Sequence, residues 1–188
     1  MGSVATLRER RLCDNLAQRA PTTSKDMPSL YRFTIVADYF QFVLMDETSA
    51  DDFSTIWTEP ALERMLAAGE SAICAGTLRN VDVPVEIRLT VERPSIDLDQ
   101  YDHAVEASIQ LPSGKLIVMG CTGYLPDAPR IDLLPGCYRA LFLVSGIESI
   151  KTEWEQADDL YAVYLWPEAA GVPQLIKHWK RSPRRREV

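Results

Sequence analysis

Two histidines, four cysteines and several runs of carboxylates are the residues of this 188-residue chain whose types could do chemistry. His103 follows Asp102 at the start of an apolar-alternating stretch, and His178 precedes Trp179 near the C-terminal basic residues. A Ser-His-Asp or Cys-His site needs a base within hydrogen-bond reach of a nucleophile, and no signature of either kind occurs here. His103 beside one carboxylate at a strand start therefore reads as structural. An enzyme assembled from Asp102, His103 and a distant group is the third-ranked reading. Cys13, Cys74, Cys121 and Cys137 lack C-x-x-C spacing, so neither a zinc site nor a redox pair is signalled. Three of them lie in apolar strand contexts, where free cysteine behaves as a small buried hydrophobe. No glycine-rich phosphate loop occurs either. The expectation is a non-enzyme with no cofactor and no metal ligand.

The carboxylates remain. Asp46, Glu47, Asp51 and Asp52 fall in one expected loop, Asp97, Asp99 and Asp102 in a second, and Glu153, Glu155, Asp158 and Asp159 in a third. Solvated loops look like this, and so do loops that converge on Ca²⁺, which takes six to eight oxygen ligands. No calcium-loop motif is complete. A third use is mimicry of the phosphate pattern that a basic nucleic-acid enzyme recognises. Trp154, within Glu153-Trp154-Glu155, is the aromatic residue best placed to anchor an interface. Asp97, Asp99, Asp102, Glu153, Trp154, Glu155, Asp158 and Asp159 are thus the candidate partner-binding residues.

The charge layout favours binding over catalysis. The chain holds 20 basic and 27 acidic residues, net −7. Five basic and three acidic residues lie in the first 28 positions, and six basic and one acidic in the last twelve. Residues 29–176 therefore carry nine basic and 23 acidic groups, a net −14 between tails of +2 and +5. Such a domain repels nucleic acid and attracts cationic surfaces, with association that weakens as salt rises. No direct nucleic-acid binding by this core is expected. No apolar run approaches the roughly 20 residues of a membrane span, and the start lacks the apolar stretch of a signal peptide, so a cytoplasmic location is expected.

The elements that must position these residues are mostly strands. Val85, Ile87, Leu89 and Val91 alternate with Glu86, Arg88, Thr90 and Glu92, the pattern of a half-buried strand. Val105, Ala107, Ile109 and Leu111 repeat it, and Pro112-Ser113-Gly114 turns the chain toward 115–121, so 103–121 reads as a β-hairpin. Further strands are expected over 32–36, 39–45, 71–78, 130–133, 138–145 and 160–166, with an edge strand over 175–179. One helix is expected over about 58–69: Thr58 caps it, Pro60 fits its first turn, Gly69 ends it, and Leu62, Met65 and Leu66 form its apolar stripe. The fold class is mainly β, a single antiparallel β-sandwich with one short α-helix. Residues 29–179 form that domain. Residues 1–28 are an extension ending in a Pro-Thr-Thr-Ser-Lys-Asp linker, with Met27 as an alternative start and Leu12 and Leu16 one helical turn apart. Residues 180–188 are a basic tail.

Tyr39-Phe40-Gln41-Phe42, then Ile56-Trp57-Thr58 with Ala61, Ala67, Ala68 and Gly69, and Leu134-Pro135-Gly136-Cys137-Tyr138 resemble the competence protein J family. That family comprises inhibitors of the nuclease through which competent bacteria take up DNA. The core also resembles a group of bacterial proteins without an assigned activity, through Asp102-His103-Ala104-Val105-Glu106 and the Asp158-Asp159…Leu165-Trp166-Pro167 ending. The resemblance implies a β-rich domain, and no nuclease-contacting residue is carried over from it. Together with the charge, it leads to an inhibitor or immunity-type protein that occludes a basic nuclease or toxin. The alternative is a generic protein- or ligand-binding sandwich using its acidic loops with Ca²⁺. Homo-oligomers are compatible with either.

Overall fold

The structure, a computed structural model, describes residues 28–180. The linker at 21–26, the Met27 start, the segment around Leu12 and Leu16 and the basic tail beyond Lys180 lie outside the described residues. Eleven strands are described: β1 (Ser29–Val36), β2 (Gln41–Asp46), β3 (Leu66–Ala68), β4 (Ala72–Gly76), β5 (Asp82–Leu89), β6 (His103–Leu111), β7 (Lys115–Gly120), β8 (Arg130–Asp132), β9 (Gly136–Ser145), β10 (Leu160–Pro167) and β11 (Gln174–Lys177). They form a six-stranded sheet in the order β1-β5-β10-β9-β6-β11 and a five-stranded sheet in the order β3-β4-β2-β7-β8. The mainly β sandwich read from period-two alternation is the architecture observed. Its pairings are antiparallel except for β5 with β10, which run parallel (Tyr161 opposite Val85).

Alternation explains the core. Val85 and Ile87 of β5, Val105, Ala107 and Ile109 of β6, Phe142 of β9 and Tyr161 and Val163 of β10 face Phe42, Leu44, Ile73, Leu116 and Val118 of the other sheet. Phe42 meets Phe142 and Tyr161 edge-on at centroid distances of 6.3 and 6.2 Å, the favoured aromatic geometry. The outer face of the six-stranded sheet is also covered. Ile96, Leu98 and Tyr101, from the connection between β5 and β6, pack on Ala104, Leu141, Leu143, Ala162, Tyr164 and Trp166.

Two local expectations fail. The 103–121 hairpin does not form, because β6 pairs with β9 and β11 whereas β7 pairs with β2 and β8. The 112–114 turn thus carries the chain from one sheet to the other. Two adjacent alternating strands bury more apolar surface when their inner faces oppose across the core than when they share one sheet. The helix over 58–69 is also shorter than expected. Helix α1 (Phe53–Ile56) precedes α2 (Glu59–Glu63), and Met65 at φ +53° stops the helix before Leu66–Ala68 pairs with β4. Thr58 and Pro60 occupy the expected first positions, but the apolar stripe is split. Leu66 is buried as a strand residue, whereas Leu62 is 63% exposed. Burial of Leu66 in the main core and of Ala67 with Val43, Ala61 and Cys74, as edge strand beside β4, outweighs the weak helix preference of a five-residue segment.

Candidate partner-binding site at one end of the sandwich

Strand register gathers most of the acidic candidates at one end of the sandwich. β1 ends at Val36 opposite Asp82, the first residue of β5. β10 starts at Leu160 opposite Ser145, the last residue of β9, and β6 starts at His103 opposite Val144. In the other sheet, β2 begins at Gln41 opposite Gly76, and Phe42 lies opposite Gly120 at the end of β7. The connections over 37–40, 77–81, 121–129 and 146–159, with Asp102, therefore meet at this end. Backbone bonds lock them together: Thr77 N donates to Phe40 O at 2.7 Å, Ala37 N to Val81 O at 3.0 Å and Asn80 N to Glu153 O at 2.9 Å.

The candidate residues divide sharply once placed. Glu153, Trp154, Glu155 and Asp158 are exposed, and Trp154 is 61% accessible. Asp97 and Asp99 are also exposed, on a short 3₁₀ turn that Asp97 caps by accepting from the Asp99 N–H at 3.1 Å. That turn lies beside β11, where Lys177 Nζ donates to Leu98 O at 2.9 Å. Asp102 is half-buried and accepts from the Ile147 N–H at 2.9 Å, tying the start of β6 to the turn after β9. Asp159 departs from the expectation: it is 1% exposed and paired with Arg79, itself 2% exposed. Nε and Nη2 of Arg79 reach its two oxygens at 3.0 and 2.6 Å, and Nη1 donates to Glu155 O at 3.0 Å. Asp159 is not presented to a partner. Its pairing with Arg79 holds the acidic 153–158 loop against the sheet end, a charge-assisted fork of the strong kind.

Several features of this end were invisible in the sequence. Tyr39 and Phe40 read as strand residues, yet both have left-handed backbones at φ +57° and +58°. Such a conformation costs about 1–3 kcal/mol per non-glycine residue. Core packing does not offset it for Tyr39, which is 73% exposed. The buried side-chain atoms without a hydrogen-bond partner among the described residues also fall here: Asp38 Oδ1, Arg64 Nε and Asn80 Oδ1. Asp159 Oδ1 likewise makes no aligned hydrogen bond but sits 2.6 Å from Arg79 Nη2. A buried polar group left without a partner costs about 1–3 kcal/mol, and these atoms gather at the end that carries the exposed 153–158 loop. Side-chain type alone carries no signal for either feature.

The other acidic loop is used internally. Asp46 is buried and accepts from the N–H and hydroxyl groups of Thr48 and Ser113. Burial pushes its pKa up, and those four bonds outweigh it, holding the carboxyl below its usual range. Glu47 pairs with Arg130 and Lys115, Asp51 accepts from the N–H groups of Glu70 and Ser71, and Asp52 caps α1. Among the described residues no three His, Cys, Asp or Glu side chains are grouped as a metal site.

His103 and the free thiol of Cys74 are buried, and the free thiol of Cys121 is half-buried. His103 is buried, with Nε2 2.8 Å from Arg64 O and Nδ1 3.2 Å from the Trp179 N–H. The carbonyl requires Nε2 to donate and the amide requires Nδ1 to accept, which is the neutral imidazole. Burial lowers its pKa, the bond to Arg64 raises it less, and His178 lowers it further. Because the folded-state value is depressed, the neutral ring's contribution is complete above the ordinary value of 6.5 and is lost as pH falls through the folded value. Titration followed by NMR should show the His103 imidazole protonating below pH 6.5, with the thermal midpoint falling as it does. A His103 value at or above 6.5 would contradict the buried neutral assignment. Burial raises the Cys74 thiol to about 12 and that of Cys121 to about 11, so neither is a thiolate at neutral pH.

No protein-family model and no curated protein sequence matches the chain. Solved structures do match it. The crystal structure of ComJ from Bacillus subtilis, inhibitor of the DNA-degrading activity of NucA, superposes with a TM-score of 0.60 at 19% identity, over 76% of this chain and 99% of that one. The structure of Crocagin biosynthetic gene J superposes with a TM-score of 0.53 at 18% identity, with the same coverage. The partial resemblance to competence protein J read from the sequence is thus present in the fold, and at this identity the likeness is one of fold.

Proposed function

We propose that this protein is a non-catalytic, cytoplasmic binding protein of the inhibitor or immunity type, which occludes the cationic nucleic-acid surface of a basic nuclease or toxin. One observation carries the reading: the exposed Glu153, Trp154, Glu155 and Asp158, the exposed Tyr39 and the buried atoms without partners occupy the same end of the sandwich. Its fold likeness to an inhibitor of a nuclease supports the same class of partner. In mechanism, the −14 of residues 29–176 draws the partner in, and carboxylates pair with cationic groups that otherwise hold DNA phosphates. Trp154 then supplies an apolar anchor that slows dissociation.

The test mixes the full chain with the nuclease encoded beside its gene and follows DNA degradation at increasing salt. The expected result is stoichiometric loss of cleavage, with a co-eluting complex whose association slows as salt rises. Unchanged cleavage with no complex on size exclusion would overturn the reading.

A further inference from the structure

Beside the end of β1 lies a cleft of about 310 Å³, walled by Val36, Val118, Met119 and Tyr124 and flanked by Asp38 and Asp127. Asp38 is half-buried, and Thr122 N–H holds its Oδ2 at 2.8 Å. Its Oδ1 is buried without a partner. That oxygen lies over Gly120: a Cβ there would come within 2.8 Å of it and 2.1 Å of Val36 O. Glycine at 120 thus makes the room in which the carboxylate sits. No ion pair among the described residues uses Asp38 or Asp127. At the cleft, Tyr124 is 71% exposed, and the strained Tyr39 follows Asp38 directly.

We propose that this cleft is a guanidinium pocket that receives an arginine side chain of the basic protein partner. The inference rests on the binding reading above and names a contact within that site. Asp38 Oδ1 is an anionic acceptor lacking a donor, and a guanidinium brings a planar fork of donors with weaker hydration than an ammonium. Val36, Val118 and Met119 form an apolar sleeve for the methylene stem. The Tyr124 ring can stack on the planar cation. The cleft volume suits a side chain, and a lining with two carboxylates, Asp38 and Asp127, and no basic residue selects a cation. Because Oδ1 is enclosed, entry requires the Thr122–Tyr124 turn to move outward.

The experiment titrates the isotope-labelled full chain with N-acetyl-arginine-N-methylamide, its citrulline analogue (a neutral isostere) and the corresponding lysine amide, and reads amide shifts by NMR. The expected result is saturable shifts at Gly120 and Thr122 with the arginine compound, with citrulline at least about tenfold weaker and lysine in between. Asp38→Asn, which keeps an acceptor for the Thr122 N–H, should lose at least about tenfold in affinity while the remaining spectrum is unchanged. Tyr124→Ala, on an exposed turn, should weaken binding by a smaller factor. Absence of saturation, equal binding of citrulline, or full affinity in Asp38→Asn would overturn the pocket. The two readings fail separately. Arginine binding without nuclease inhibition sinks the inhibitor reading alone, and inhibition undiminished in Asp38→Asn sinks the pocket alone.

Discussion

The Arg79→Met variant should lose about 3–5 kcal/mol of folding free energy, the cost of leaving a buried carboxylate without its cation. Arg79 and Asp159 have 2% and 0% of their side-chain surfaces exposed, joined by contacts of 2.6 and 3.0 Å. Water therefore cannot replace the guanidinium. The neighbourhood deepens the loss, because Arg79 Nη1 also holds Glu155 O, and the Leu78 N–H donates to the hydroxyl of core Tyr161. Urea unfolding should show a lower midpoint with an unchanged slope. The double replacement Arg79→Met with Asp159→Leu should recover most of the loss, since an apolar pair of similar volume often matches a buried ion pair. A loss under about 1 kcal/mol in the single variant, or no recovery in the double, would show that the pair is not the clamp described.

Reversing the exposed charges at the same sheet end should act on binding and leave folding alone. A triple replacement of Glu153, Glu155 and Asp158 by lysine changes the local charge by about six units. It should slow association with the basic partner roughly 10- to 100-fold at low salt, an effect that shrinks as salt rises. All three residues are exposed, so the unfolding midpoint should stay near that of the unaltered chain. Trp154→Ala should instead raise the dissociation rate, by roughly 30-fold for an anchor worth about 2 kcal/mol. Stopped-flow mixing over a range of salt separates the two effects. An association rate indifferent to the triple reversal would place steering elsewhere on the molecule.

The contrast between these experiments follows from adjacent residues of one acidic run. Asp158 and Asp159 are chemically identical and consecutive, yet one faces solvent and the other is sealed against Arg79. The alternation that identified the strands cannot sort such a pair, because Asp159 precedes β10 and its partner lies 80 residues earlier in the chain. Tyr39 and Phe40 raise the same difficulty. Aromatic residues beside an apolar strand are ordinarily part of it, and nothing in their side chains signals a left-handed backbone. Met65 shows it a third time, since its φ of +53° ends a segment that capping signals had marked as helix through Gly69.

The sequence alone determined the β-rich sandwich, the approximate span of every strand but Leu66–Ala68, and the separation of a −14 middle from basic tails. These depend on local periodicity and on charge counts, which are properties of neighbours along the chain. Tertiary structure alone decided that 112–114 crosses between sheets, that the 153–159 loop joins Asp38, Tyr39 and Asn80 at one end, and that Asp159 belongs to the core. Those are pairings between residues tens of positions apart. They are selected by which apolar faces bury best together and by which charges must find a partner once water is excluded.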